Sequence, residues 1–284
     1  MTPKLRTVSA LGPQGFTEIA YAEWGDADRT VICVHGLTRN ARDFDWLAQA
    51  LVARGWRVLC PDMPGRGRSS WLSDPGDYGY AIYLAASAAL IARSAAARVA
   101  WVGTSMGGII GMMLAAQPNT PLQTLVLNDV GALIPAASIA RIGSYVGDAP
   151  VFSNLDGIES YLRHVHAPFG ALTDEQWRHL AVHSAVPAEQ GGLRLHYDPA
   201  IALPFKQQEP KDVDLWPIWG RVACPTLIVR GASSDLLLAD TAREMAGRAK
   251  TKDVQLVEFA GCGHAPALMD PAQIAAIADF LERS

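Results

Sequence analysis

No apolar run reaches the roughly 18 residues that a membrane-spanning helix needs, and the opening stretch MTPKLRTVSALGPQG carries no apolar core of signal-peptide length. The expected location is therefore the cytoplasm, with no membrane partner. Charge is scarce as well: Asp, Glu, Lys and Arg make up 18% of the chain, the formal net charge is -4, and like charges nowhere gather into a run. This excludes a polybasic membrane patch and a nucleic-acid surface, and leaves small neutral or mildly polar molecules as partners. Cysteine is sparse. Cys33, Cys60, Cys224 and Cys262 form no CxxC pair, and three of them sit in or beside apolar strand-like runs, so they are expected as buried thiols. Internal repeats, low-complexity tracts and a P-loop are also missing. GRGRSS (65–70) and GCGHAP (261–266) begin like dinucleotide fingerprints but lack the third glycine.

What is present is core material, with hydrophobic residues at 50% of 284 positions, enough for one large domain or a domain with an insertion. Short apolar runs alternate with longer amphipathic ones, the pattern of parallel strands joined by helices. Strands are expected at 31–34, 58–60, 99–102, 124–127, 226–229 and 254–259, and their continuous apolarity predicts burial on both faces. Segments 5–9 and 18–24 flank a Gly-Pro-Gln-Gly stretch and predict an antiparallel hairpin at the sheet edge. Helices are expected at 41–54, 80–97, 106–117, 240–249 and 271–283, the last with Asp270 as N-cap and Pro271 at its first position. The alternation stops over 131–217. There the chain shows helical patterns at 138–146, 157–166 and 173–183, with a capping box from Thr173 to Gln176, and no convincing strand. The fold class is thus α/β, a mostly parallel central sheet flanked by helices. Its core spans 1–130 and 218–284, with a helical cap inserted at 131–217.

The stretch GTSMGG at 103–108 matches G-x-S-x-G. Strand-like RVAWV precedes it, and Met106, Ile109, Ile110, Met113 and Leu114 follow at helical spacing. A serine pinched between strand and helix needs small neighbours, which Gly103, Gly107, Gly108 and Gly111 provide. A hydroxyl is a poor nucleophile at neutral pH and needs a base within hydrogen-bond reach, itself oriented by a third group. His264, in a loop after the last expected strand, offers the base. Asp235, after the 226–229 strand, offers the orienting carboxylate, and Asp129, after the 124–127 strand, is the alternative. Asp235 is preferred for its glycine- and serine-rich loop.

Together with VHGLTRN (34–40) and PDMPGRGRS (61–69), these motifs make the chain resemble the α/β-hydrolase superfamily, specifically its small bacterial carboxylesterase-like serine hydrolases. The resemblance implies Ser105 as nucleophile, His264 as general base then acid, and Asp235 (or Asp129) as the orienting acid. It also implies the backbone N–H groups of Leu37 and Met106 as oxyanion donors. The expected activity is cleavage of a small-molecule carboxylic ester through an acyl-enzyme on Ser105, with no metal or organic cofactor. Hydrolysis of a carbon–carbon bond in ring-cleavage products, or of a lactone, uses the same residues, and a non-catalytic small-ligand receptor is the alternative from another class. The family's dehalogenases and epoxide hydrolases carry Asp where this chain has Ser105.

Other candidates carry less. His35, Trp177 and Trp216 are expected to line the substrate pocket, with Phe152, Tyr161, Phe169, Tyr197, Phe205 and Trp219 as further candidate walls. Arg39 and Arg42, near the oxyanion loop, are candidate partners of a substrate carboxylate. His179 and His183 stand four apart on an expected helix, a zinc-compatible spacing. Leu180 occupies the place where a H-E-x-x-H protease needs Glu, so no metal site is assigned.

Overall fold

In a computed structural model that describes residues 1–207 and 209–283, the chain opens with β1 (Lys4–Gly12) and β2 (Gly15–Trp24), an antiparallel hairpin paired from Lys4↔Glu23 to Gly12↔Gly15. There follow β3 (Thr30–Val34), α1 (Asp45–Ala53), β4 (Arg57–Pro61), α2 (Tyr80–Ser94), β5 (Val99–Thr104), α3 (Met106–Ala115) and β6 (Leu122–Asn128). Short elements come next: β7 (Leu133–Ile134), α4 (Ala136–Gly143), α5 (Leu155–Val165), α6 (Asp174–Ser184), β8 (Ala185–Pro187), β9 (Leu193–Leu195), α7 (Leu203–Lys206), β10 (Val213–Asp214) and α8 (Trp216–Trp219). The α/β alternation then resumes with β11 (Thr226–Gly231), α9 (Ala239–Gly247), β12 (Val254–Phe259) and α10 (Pro271–Arg283).

Eight strands form one sheet in the order β1-β2-β4-β3-β5-β6-β11-β12. The first two and β4 run antiparallel to one another in turn, and β4 through β12 are parallel. From β3 the chain winds to β4 on one side and then to β5 on the other. The crevice at the carboxyl ends of β3 and β5 is therefore the topological switch point, where ligands bind in open α/β sheets.

Burial on both faces follows from the apolar runs. All five residues of β3 are buried. Ile32 and Val34 pack with Trp101, Leu125, Leu127 and Ile228 on one face; Val31 and Cys33 pack with Val58, Cys60, Ala100 and Val102 on the other. Each such aliphatic side chain contributes roughly 1.5–3 kcal/mol on full burial, so the two clusters fix the register of the sheet. The four cysteines are free thiols, buried except for the half-buried Cys224.

Several expected boundaries shift for local reasons. Segment 41–54 begins as a single 3-10 turn, Ala41–Phe44, because the Asn40 side chain accepts from the Arg42 N–H (3.0 Å) and holds a tighter first turn. The helix expected over 80–97 stops at Ser94, where Ala95 turns left-handed with φ 56°. The Thr173–Gln176 capping box forms, and Asp270 Oδ1 accepts from the Ala272 N–H at 2.8 Å.

Segment 131–217 does hold helices near the expected positions. However, it also contains two small antiparallel pairs, β7 with β10 and β8 with β9, where no strand was expected. Two- or three-residue strands are too short to display a period of two. The β7–β10 pair clasps the two ends of the segment, while α5 and α6 share a separate cluster around Ile158, Leu162, Trp177 and Leu180. Among the described residues no helix is long and apolar enough to cross a membrane.

Candidate active site

Ser105 alone separates β5 from α3, with φ 52° and ψ -114°. That left-handed φ is strained for any residue with a Cβ and persists only because its surroundings dictate it. A Cβ on Gly103 would lie 2.2 Å from the Gly107 carbonyl oxygen, and one on Gly107 would lie 2.0 Å from that of Val34. The glycines are thus required by close backbone approach. The Ser105 N–H donates to the Asn128 carbonyl (2.9 Å), tying the turn to the end of β6.

The loop between β12 and α10 carries His264 to this turn. It is held by Gly263 N–H to the Pro168 carbonyl (2.7 Å) and Asn128 Nδ2 to the Pro266 carbonyl (2.8 Å). His264 Nε2 lies 2.9 Å from Ser105 Oγ, and His264 Nδ1 lies 2.8 Å from Asp129 Oδ2. A carboxylate accepts only, so Nδ1 carries the proton and Nε2 is left to accept from the serine hydroxyl. Asp129 is fully buried and also accepts from the Gly231 N–H (2.7 Å) and the Ser234 hydroxyl (2.5 Å).

The preferred acid is corrected by this geometry. Asp235 is about half exposed and paired with Arg141 through Nε (2.5 Å) and Nη2 (2.9 Å), while its carbonyl accepts from Ser138 Oγ (2.7 Å). Its carboxylate makes no contact with His264. The glycine- and serine-rich loop after β11 does face the histidine, but it brings the donors, Gly231 and Ser234, that hold the carboxylate of the neighbouring strand. Ser234 escaped the sequence reading, because a hydroxyl that orients an acid has no spacing of its own.

Leu37 and Met106 border a common cavity with Ser105. The Met106 N–H opens α3 and has no intrahelical acceptor. The Leu37 N–H donates to no acceptor among the described residues. Its peptide plane is fixed from the other side: the Gly36 carbonyl, trans to that N–H, accepts from the Arg39 N–H (3.2 Å) and from His35 Nδ1 (2.7 Å). His35 Nε2 in turn accepts from the Met63 N–H (3.0 Å). Burial pushes the His35 imidazole down to about 4, against the hydrogen bond to Gly36, so the ring is neutral at pH 7 and supplies the one donor and one acceptor used here.

The cavity has a volume of about 410 Å³, within the range of small-molecule sites. Its walls are mostly apolar: Leu37 and Met106 near Ser105, Ile134 and Ile142 from the β7–α4 region, Phe205 from α7, and Tyr83 from α2. The expected lining residues His35, Trp177 and Trp216 are all elsewhere. His35 is buried behind the Leu37 loop. Trp177 fills the α5–α6 cluster, and Trp216 lies beneath the Arg248 guanidinium at 5.1 Å. Of the eight aromatics at 152–219 only Phe205 borders the cavity. Tyr78, Tyr80 and Tyr83, which do border it, precede the segment; Tyr80 and Tyr83 carry no signal beyond an ordinary amphipathic helix, and Tyr78 lies in the loop before it.

The other polar candidates are occupied. Arg39 is buried in a bidentate pair with Asp43 (2.8 and 2.8 Å), and Arg42 is paired with Asp45. His179 and His183 do approach Asp45, close enough for all three to share an ion. The Arg42 guanidinium already neutralises that carboxylate and lies 3.5 Å from His183 Nδ1, so a cation stands where a metal would have to enter. His166, buried and stacked on Phe169 (ring centroids 4.5 Å apart), is held well below the ordinary imidazole range by desolvation and then by Arg39 and His264.

Comparison with known proteins agrees with this architecture. A 3-hydroxybutyrate-oligomer hydrolase from Cupriavidus necator is 44% identical over 289 aligned positions, covering 98% of each chain. The solved structure of an alpha/beta hydrolase from Novosphingobium aromaticivorans superposes with a TM-score of 0.86 at 36% identity, covering 100% of this chain and 99% of that one. A hydrolase structure from Rickettsia typhi gives 0.91 at 32% identity over the whole of both chains. The sequence profile of the alpha/beta hydrolase family matches residues 31–277, a span that includes the Ser105 turn and the loops that meet it, and the chain belongs to that family of hydrolases.

Proposed function

We propose that the protein is a serine ester hydrolase working through an acyl-enzyme on Ser105, with His264 as general base and acid and Asp129 as the orienting carboxylate. The observation that carries this reading is the continuous hydrogen-bonded path Ser105–His264–Asp129, 2.9 and 2.8 Å, beside the apolar cavity. As the hydroxyl attacks an ester carbonyl, its proton passes to His264 Nε2, and Asp129 stabilises the imidazolium that forms. The new oxyanion is met by the Leu37 and Met106 amides, which are fixed beforehand and need no reorganisation. Collapse expels the alcohol with the proton from His264. Water, deprotonated by the same nitrogen, then attacks the acyl-enzyme and frees the acid.

Kinship and the cavity support a substrate class. A relative 44% identical over nearly the whole chain is named for hydrolysing 3-hydroxybutyrate oligomers, and a largely apolar chamber suits the methyl and methylene groups of such ester-linked short hydroxy acids. A fluorophosphonate probe is expected to label the wild type and spare Ser105→Ala; labelling that persists in the variant overturns the nucleophile assignment. Dimers and trimers of 3-hydroxybutyrate are then compared with p-nitrophenyl esters and a vinylogous diketone. Release of monomer from the oligomers supports the substrate class. Turnover of the diketone alone assigns carbon–carbon bond hydrolysis instead, and tight binding of apolar ligands without turnover assigns a receptor.

A further inference from the structure

Arg66, the first arginine of the GRGRS stretch, is fully buried in the loop after β4. Its Nε donates to the Leu37 carbonyl (2.8 Å), and Nη1 donates to the Pro64 carbonyl (2.7 Å) and the Tyr83 hydroxyl (2.7 Å). Nη2 faces the Met106 thioether at 3.7 Å. One planar group therefore touches both residues whose amides flank Ser105. We propose that Arg66 is a positioning residue for the oxyanion site, tying the Leu37 loop to Met106 and adding a buried, uncompensated positive charge behind both donors. The proposal rests on the acyl-enzyme reading.

The charge balance argues for use rather than for packing alone. Three arginines are buried among the described residues, and two have acids: Arg39 has Asp43 and Arg230 has Glu258. No described carboxylate pairs with Arg66. The nearby Asp198 accepts instead from the Tyr78 hydroxyl (2.7 Å), and the guanidinium lies 5.8 Å from the Tyr78 ring centre and 5.0 Å from that of Tyr83. A buried guanidinium stays charged, and leaving it without a counter-ion is costly. The tetrahedral oxyanion is the species in the proposed cycle that develops negative charge against the Leu37 and Met106 amides, in front of this guanidinium, and it exists only at the moment of reaction. Interactions stronger in that state than in the ground state raise turnover rather than substrate affinity.

The test compares Arg66→Met and Arg66→Lys with the wild type in steady-state kinetics on an activated ester. It also measures binding of an alkyl boronic acid, which forms an anionic tetrahedral adduct on Ser105, and of the neutral alcohol product. Arg66→Met is expected to lose about ten- to a hundredfold in kcat with KM within threefold. Its boronate affinity should fall in step with kcat and its alcohol affinity should hold, while Arg66→Lys recovers part of both losses. A kcat within twofold of wild type, or equal losses for boronate and alcohol, overturns the proposal. If Arg66→Met does not fold, Tyr83→Phe removes one anchor of the guanidinium by deleting a single hydroxyl. A several-fold drop in kcat and boronate affinity at unchanged KM supports the proposal, and no change overturns it. Ser105→Ala separates the two failures: if it retains turnover and boronate binding, the acyl-enzyme reading fails and the proposal falls with it; if it loses both while Arg66→Met matches the wild type, only the role of Arg66 fails.

Discussion

At the scale of single residues, two aspartates competed for one imidazole, and their surroundings decide between them. Asp129 is fully buried and accepts from a backbone amide, a serine hydroxyl and His264; Asp235 is half exposed and spent on Arg141. Replacing Asp129 by Asn keeps the shape but offers His264 Nδ1 a donor, which favours the wrong tautomer. Asp129→Asn is expected to lower kcat by about 10³–10⁴. Asp235→Asn removes an exposed ion pair worth about 0–1 kcal/mol and should leave kcat within threefold. Steady-state rates of the two variants check this, and the opposite ranking returns the acid to Asp235.

At the scale of elements, the strand–turn–helix around Ser105 was legible because its constraints are local. Gly107 sits against the Val34 carbonyl, and two backbone segments cannot both yield to a methyl group 2.0 Å from an oxygen. Gly107→Ala is expected to destabilise by about 3 kcal/mol or more, seen as a fall of several degrees in Tm or loss of soluble protein. Gly247, in the last turn of α9, makes the contrast, since a methyl group there would meet nothing within 4 Å. Gly247→Ala should stabilise by about 0.4–1 kcal/mol, by restricting the unfolded chain. Equal Tm values for the two variants contradict the account of the turn. The cavity walls were less legible. Ile134, Ile142 and Phe205 come from short elements in a segment whose two ends are joined by the β7–β10 clasp.

At the scale of the molecule, two buried histidines, His35 and His166, and two half-buried ones, His183 and His196, set the response to acid. Burial pushes His35, His183 and His196 down to about 4 and holds His166 well below the ordinary range. The unfolded chain takes up these protons near pH 6.5, whereas the folded chain resists until about 4 at His35, His183 and His196 and until well below 6.5 at His166. Stability is therefore intact above 6.5 and falls as pH drops toward 4, by about 1.4 kcal/mol per pH unit for each extra proton held unfolded. Asp62 opposes this. Burial raises its carboxyl to about 6 despite hydrogen bonds from the Ala41 and Arg68 amides, so acidification from about 6 favours the fold at this site, and burial raises the Asp45 carboxyl in the same sense. With four histidines against two carboxyls, Asp62 and Asp45, the urea midpoint is expected to fall between pH 7.5 and 5; a constant or rising midpoint contradicts the assignment of these rings as desolvated and neutral.

By itself the sequence determined the α/β alternation, the Ser105 turn and the arrival of His264, since each is written in residues adjacent along the chain: apolar period, small neighbours, a loop between strand and helix. It also brought both candidate aspartates to the same end of the sheet, because β6 and β11 are parallel neighbours with Asn128 opposite Val229. Only the tertiary structure decided which carboxylate turns toward the histidine, which side chains wall the cavity, and that Arg66 is buried without an acid. Those outcomes depend on the directions of side chains from segments far apart in the chain, 135 residues in the case of His264 and Asp129, and packing rather than local pattern fixes such directions.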